Sequence, residues 1–212
     1  MKRFRLKYTK GKELRFTSHL DMIRLFERAL RRAEIQLAYT QGFNPRQRIA
    51  YGPPLSLGHT SEAEYLDLYL DDLSQETEES LFKKLGKALP PGLQITKIKP
   101  VPTSLPALTA HIETASYQIT LERAISEETP LIHPLITRRT PKHGERTFDI
   151  RPMLKWIKIK ENVVETMVQT NGQGTLKPEE VIQGLGNPSK MIQIRRTGLF
   201  VNQGGKLREP LS

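Results

Sequence analysis

The chain has 212 residues, 37% of them hydrophobic and 26% charged, which is typical of a folded globular protein. It contains no cysteine, so disulfides, thiolate catalysis and iron–sulfur clusters are excluded within the chain. Its five histidines show no i, i+4 pairing of the kind that binds zinc on a helix, and we expect neither a metal nor a cofactor. Apolar runs stay well short of the roughly 20 residues that span a membrane, and no stretch typical of a signal peptide follows the first residues. We therefore expect a cytoplasmic protein without membrane contact.

The net charge of +10 is unevenly distributed along the chain. Residues 1–52 hold 13 Lys and Arg against 4 Asp and Glu, residues 53–100 hold 5 against 8, and residues 101–212 hold 15 against 11. The positive excess therefore lies in the first quarter of the chain. Such a basic segment indicates an anionic partner, of which nucleic acid is the commonest, although a basic protein without such a partner is the simpler alternative.

A helix with an arginine-rich face follows the first predicted strand, residues 3–8, in which apolar and basic side chains alternate. Ser18 and Asp21 have capping-box spacing and predict a helix that runs to about Ala33. Its predicted apolar face comprises Leu20, Ile23, Phe26, Leu30 and Ala33. Its predicted basic face comprises Arg24, Arg28, Arg31 and Arg32. Because Arg24 and Arg28 repel each other at i, i+4 spacing, a phosphate-bearing partner explains this face better than helix stability does.

The remaining elements of the first half complete a strand–helix–strand–strand–helix–strand order. They are strand-like pieces at 36–40 and 47–51, a strand at 62–70, a helix at about 75–88 and a strand at 93–99. This order predicts a ferredoxin-like domain over residues 1–102, of the kind found in RRM and RAMP proteins. A proline-rich stretch near 100–110 marks its boundary.

The second half, residues 111–202, is predicted to be another strand-rich α+β domain. Its predicted elements are strands at 116–122 and 163–169, a short helix near Asp149, a helix at 178–185 and a strand or strand pair at 191–201. We interpret it as a second, degenerate ferredoxin-like unit. Residues 203–212 are expected to be a disordered tail.

Several motifs stand out along the chain. They are Phe16-Thr17-Ser18-His19-Leu20-Asp21, Phe26-Glu27-Arg28-Ala29-Leu30-Arg31-Arg32-Ala33, Gln41-Gly42-Phe43-Asn44-Pro45, Pro53-Pro54-Leu55, Ser61-Glu62-Ala63-Glu64-Tyr65, Phe148-Asp149-Ile150-Arg151-Pro152 and Arg196-Thr197-Gly198-Leu199-Phe200-Val201. Together they resemble the bacterial radical SAM-linked protein family over nearly the whole chain. The resemblance implies a radical SAM protein with a cobalamin-binding domain as partner, since family members are fused to such proteins or encoded beside them. Without cysteine, this chain cannot hold the radical SAM cluster itself.

Candidate site residues fall into three groups. His19, at the first turn of the predicted helix, is a candidate general base, although local packing explains it more simply. The loop that follows the helix offers Phe43, Arg46 and Arg48, which suit base stacking and phosphate contact, while a turn anchored in the core by Phe43 is an equal alternative. A second basic segment contains Arg138, Arg139 and Lys142.

These features predict an RNA-binding accessory protein that works with a separate radical SAM enzyme, in tRNA or rRNA modification or processing. The partners expected are therefore a structured RNA and a radical SAM protein. Two alternatives stay open. One is a metal-independent endoribonuclease that uses His19, and the other is a protein–protein adaptor whose arginines meet an acidic partner.

Overall fold

The computed structural model of the protein describes residues 1–140, 144–172 and 174–211. These residues form a mixed α+β structure, in which ten strands belong to one mixed sheet and two further strands form a separate hairpin. Helices are few, and no helix in these ranges is both long and apolar enough to cross a membrane. The α+β class predicted from the sequence is confirmed.

The first half of the chain forms four antiparallel strands covered on one face by two helices. Its elements are β1 (Lys2–Lys10), α1 (His19–Arg32), β2 (Ile49–Tyr51), β3 (Thr60–Leu70), α2 (Glu78–Ala88) and β4 (Leu93–Pro100). Strand β1 pairs with β3 and β4, and β2 pairs with β3, so the spatial order is β4-β1-β3-β2. Leu6 and Leu66 of the sheet pack with Phe26 of α1 and Leu85 of α2 in one buried apolar cluster. The apolar residues that alternate along the strands thus pack in one core with those that recur at helical spacing.

Helix α1 begins where its local sequence predicts. The Ser18 hydroxyl accepts a hydrogen bond from the Asp21 amide at 3.2 Å, which confirms the predicted N-cap. The residues of the helix that are buried in the core are Met22, Phe26, Ala29 and Leu30. The prediction that Leu20 belongs to this face is wrong, since Leu20 is 65% exposed. At 3.6 residues per turn it lies about a third of a turn away from Phe26, beyond the edge of the buried stripe.

The second half repeats this strand order, with a hairpin where the first half has its first long helix. Its elements are α3 (Leu108–His111), β5 (Ile112–Leu121), β6 (Leu135–Thr140), β7 (Gly144–Asp149), β8 (Leu154–Lys160), β9 (Val163–Asn171), β10 (Gly174–Thr175), α4 (Pro178–Gly184), β11 (Met191–Gln203) and β12 (Lys206–Arg208). Antiparallel pairing of β5 with β9 and β11, and of β8 with β9, gives the order β11-β5-β9-β8. The β6–β7 hairpin lies between β5 and β8 in the chain. The short helix predicted near Asp149 is a single 3-10 turn at Arg151–Met153.

The two halves join where β11 lies beside β3. These strands pair in parallel over two residue pairs, so one sheet runs through both halves. Arg196 of β11 is buried there and donates to the Glu64 carboxylate at 2.9 Å and to the Tyr117 hydroxyl at 3.0 Å. It also donates to the carbonyls of Pro53 and Pro54. Burial lowers the pKa of the Arg196 guanidinium, but Glu64 and Tyr117 raise it more, so the pKa stays above its ordinary value and the group remains charged.

In place of the disordered tail predicted over residues 203–212, the described part of this segment, which ends at residue 211, is folded. Strand β12 pairs with the end of β11 as a hairpin. Leu211 is only 3% exposed and belongs to the larger apolar cluster. The Glu209 carboxylate accepts hydrogen bonds from Lys7 Nζ at 2.8 and 2.9 Å. One apolar anchor and one ion pair therefore fix a segment whose composition alone resembles a loose terminus.

Candidate nucleic-acid interface

Helix α1 and the loop after it flank an open groove of about 470 Å³. Three arginines line it, Arg24 and Arg31 from the helix and Arg46 from the loop, against the single carboxylate of Glu27. The remaining lining residues are Leu20, Ile23, Tyr39, Pro45 and Gln47. The groove therefore combines a positive excess with an aromatic ring and apolar side chains, and we name it the α1 groove.

The loop wall of the α1 groove is a narrow turn closed by hydrogen bonds at its base. The Thr40 amide donates to the Arg46 carbonyl at 2.9 Å, and the Arg46 amide donates to the Thr40 hydroxyl at 3.0 Å. Gly42 has a φ of 132°, which side chains rarely permit. Phe43 at the tip is fully exposed, with a relative accessibility of 106%. This exposure contradicts the interpretation of Phe43 as a core anchor, and base stacking stays a prediction.

The four arginines of α1 are all exposed, but they lie along two different sides of the helix. Arg24 and Arg31 line the α1 groove, whereas Arg24, Arg28 and Arg32 line a second hollow of about 380 Å³ next to Pro90. Arg32 donates to the Ala88 carbonyl at the end of α2 at 2.7 Å, so its guanidinium is partly committed to the fold. The predicted basic face thus exists, with Arg24 at its centre.

Arg48, predicted as a partner of Arg46, does not line the α1 groove. Its guanidinium carbon lies 4.5 Å from the centre of the Tyr69 ring. It lines a neighbouring hollow together with Met1 and Asp71.

Tyr39 is the groove residue that the sequence analysis missed. Its side chain is 58% exposed, and the residue forms an isolated antiparallel bridge with Gln47 across the base of the loop. It lines the α1 groove and two adjoining hollows. In the sequence, Tyr39 is an aromatic residue just before the turn. The pattern there predicts only a short strand.

The second basic segment is used differently from the prediction. Arg138 forms a bidentate ion pair with Glu180 of α4, donates to the Thr175 carbonyl, and stacks 4.5 Å from the centre of the Phe148 ring. These contacts hold the hairpin on α4 and leave less of the Arg138 guanidinium available for phosphate, and its phosphate binding stays a prediction. The side chain of Arg139 and all of Lys142 lie outside the described residues.

His19 lies at the start of α1 and is half-buried. Its ring meets the Tyr51 ring edge-on at 5.8 Å between centroids. With Tyr8, Lys10 and Glu64 it also lines a small polar cavity of about 20 Å³. Lys10 Nζ donates to the Thr17 carbonyl at 2.9 Å, and burial lowers the pKa of this lysine. A cavity of this size holds about one water molecule, not a nucleotide.

Another polar cluster lies at the junction of the two halves. His59 is 3% exposed, and its Nε2 lies 2.7 Å from Glu179 Oε1. Burial raises the pKa of the Glu179 carboxyl, but the hydrogen bond with His59, a backbone hydrogen bond and nearby charges together lower it more, so its pKa falls below the ordinary value. Among the residues that the structure describes, no three His, Asp or Glu side chains converge as a metal site requires. The cluster joins β3 to α4 across the junction.

Comparison with known proteins identifies the family of this chain. The chain is a mixed α+β protein, and it belongs to the family described as "Uncharacterized protein conserved in bacteria (DUF2344)", whose model matches residues 3–178. None of the curated proteins matches it. Among solved structures, a chain of the "Crystal Structure of a Cbf5-Nop10-Gar1 Complex" is similar at a TM-score of 0.42 and 13% identity, over 93% of this chain and 48% of that one. The chain thus spans about half the length of that structure, and a likeness this low carries no argument about function.

Proposed function

We propose that the protein binds RNA through the α1 groove. The observation that carries the proposal is the convergence of Arg24, Arg31 and Arg46 on one open groove whose wall holds the exposed ring of Tyr39. Guanidinium groups donate paired hydrogen bonds to phosphate oxygens, and exposed aromatic rings stack on unpaired bases. Phe43, projecting from the loop tip beside this groove, extends the same surface.

An acidic protein partner, the adaptor alternative, accounts for the arginines better than for the separate positions of the two aromatic rings. A protein interface buries its aromatic residues in a packed centre surrounded by a polar rim. Here Phe43 stands alone at the tip of a turn, and Tyr39 lies among arginines. Stacking on bases gives both rings a partner of matching shape, which favours nucleic acid.

The ribonuclease alternative finds less support. A general base must lie within hydrogen-bonding reach of the ribose hydroxyl that it deprotonates. The cavity beside His19 has room for about one water molecule, and Tyr51 covers the ring edge-on.

The ferredoxin-like fold and the biological setting are further parts of the proposal, and they rest on strand order and on the family resemblance. Across the sheet, the four main strands of each half lie in the order fourth, first, third and second, counted along the chain. This order supports two ferredoxin-like units, of which the second has a hairpin in place of its first helix. The radical SAM partner, the tRNA or rRNA substrate and the cytoplasmic location follow from the sequence motifs and composition alone. We propose them as the setting in which the α1 groove acts.

The proposal is tested by removing the groove cations without changing the fold. We expect the triple variant Arg24→Gln, Arg31→Gln, Arg46→Gln to bind a structured RNA at least about tenfold more weakly, because each charge-assisted contact contributes roughly 1.5–3 kcal/mol. Fluorescence anisotropy at several salt concentrations measures the affinity and its salt slope, which should also become shallower.

The matched control carries the same loss of three charges elsewhere. Lys83, Lys87 and Lys190 are exposed and line none of the grooves described above, so their change to Gln should leave affinity within about threefold. Equal losses in both variants would show that only net charge matters and would contradict the assignment to the α1 groove.

A further inference from the structure

The sheet face opposite α1 and α2 carries an unusual concentration of positive charge. Antiparallel pairing of β1 with β4 sets Lys7 directly opposite Lys97 and Arg5 directly opposite Lys99. Like charges in direct cross-strand pairs destabilise a sheet. Both pairs lie on one face, because the alternate residue Leu6 packs into the helix-covered core. We name this surface, comprising Arg5, Lys7, Lys97 and Lys99, the cationic face.

Two carboxylates partly compensate the cationic face. Asp67 is fully buried and accepts hydrogen bonds from Arg5 at 2.8 Å and from the adjoining Arg3 at 3.0 Å. The ion pairs of Asp67 with Arg3 and Arg5 are buried and form part of the folded interior. The second carboxylate is Glu209, which bonds to Lys7 and approaches the Tyr65 hydroxyl at 3.4 Å. The four cations of this face and the adjoining Arg3 are thus set against two carboxylates, and the face keeps a positive excess.

The residues that cover this face, at the turn that follows β12, present oxygen atoms one after another along the chain. After the Glu209 carboxylate, the Pro210 carbonyl accepts from Arg5 at 3.3 Å and the Leu211 carbonyl accepts from Lys97 Nζ at 2.8 Å. A line of acceptor oxygens met by successive lysines and arginines is the arrangement in which a sugar–phosphate backbone is bound. Residues 209–211 thus hold the place that such a backbone would take.

We propose that the cationic face is a second RNA-phosphate site, occupied in this structure by residues 209–211, and that RNA displaces this segment. The proposal rests on the proposed RNA-binding function. Displacement is favoured by the exposure of the ion pair, since the side chain of Glu209 is 39% exposed and that of Lys7 is 18% exposed. Pairs with this much solvent contact add little stability, so a polyanion can replace the carboxylate at small cost. The remaining cost is the exposure of Leu211, which contacts between RNA and the uncovered cations must offset. Lys99, exposed at the rim, is the first cation that an approaching phosphate meets.

Glu209→Gln tests the proposal in the full-length chain. It removes the competing charge while keeping the shape, so RNA affinity should rise about 3- to 5-fold, the factor expected from a partly exposed ion pair. Lys7→Gln should cancel this gain in the double variant yet leave affinity almost unchanged in the parent chain, where Lys7 is already bound. Glu122→Gln, at another exposed glutamate, serves as the control and should change nothing. A Glu209→Gln protein that binds RNA no better than the parent would overturn the proposal.

Hydrogen exchange supplies a second readout that does not depend on affinity. RNA should accelerate exchange at the amides of residues 206–211, whereas inorganic phosphate at matched ionic strength should not. Equal acceleration by phosphate would overturn the assignment to RNA, because any anion would then displace the segment. If RNA binds and depends on the arginines of the α1 groove, but these amides stay unchanged, only the second site fails. If no RNA binds at low salt, the proposed function itself fails.

Discussion

At the scale of single residues, the arginines of this protein differ in the partners that the fold brings to them. Arg24 and Arg31 line the α1 groove as a basic helix face would suggest. Arg138 is equally basic in the sequence, yet the structure commits it to Glu180, 42 residues away. A side chain's partner depends on long-range packing, and no local pattern encodes a contact at that separation.

Arg196 illustrates a residue whose role only the tertiary structure reveals. Removing a buried charge leaves its partner uncompensated, which typically costs 3–5 kcal/mol. We therefore expect Arg196→Met to lower the free energy of unfolding by about this amount, with Glu64 left alone in the interior. The adjacent Arg195, whose ion pair with Glu62 is partly exposed, provides the control, and Arg195→Met should cost no more than about 1 kcal/mol.

Chemical denaturation of the two variants distinguishes these expectations. Adding Glu64→Gln to Arg196→Met should recover part of the loss, because the unpaired carboxylate is then gone. Similar small losses for Arg195→Met and Arg196→Met would refute the role of Arg196 as the buried link between the halves.

At the scale of elements, local sequence signals predicted those features that depend only on neighbouring residues. The N-cap of α1, the alternation of β3 and the proline that begins α4 are each written within a few residues. The β6–β7 hairpin and β8 were missed, since their residues are largely exposed and their apolar alternation is weak. The tail was misjudged for a related reason, because one buried leucine at position 211 outweighs its polar neighbours.

The cap of α1 gives a prediction at this scale, since the helix forms one wall of the α1 groove. Ser18→Ala removes the hydrogen bond to the Asp21 amide and should lower the free energy of unfolding by about 1 kcal/mol. Ser18→Thr retains a hydroxyl and should lose less. Thermal or chemical unfolding measures both variants, and an alanine variant as stable as the parent would show that another group caps the helix.

At the scale of the whole molecule, one sheet running through both halves holds two basic surfaces on opposite sides of the first half. The helix side carries the α1 groove, and the other side carries the cationic face under residues 209–211. The positive excess of residues 1–52 is therefore divided between them, which net charge alone does not reveal. This division explains why the sequence predicted an anionic partner but indicated only the surface on the side of α1.

Ultraviolet crosslinking of a uridine-containing structured RNA, followed by mass spectrometry of the attached peptides, tests the central claim most directly. A distinct basic and aromatic surface, Trp156 with Lys158 on strand β8, lies in the second half and serves as an internal comparison. The account predicts crosslinks at Tyr39 and Phe43, which disappear in the Arg24→Gln, Arg31→Gln, Arg46→Gln variant. Crosslinks confined to Trp156 and its neighbours, with Tyr39 and Phe43 unmodified, would contradict it.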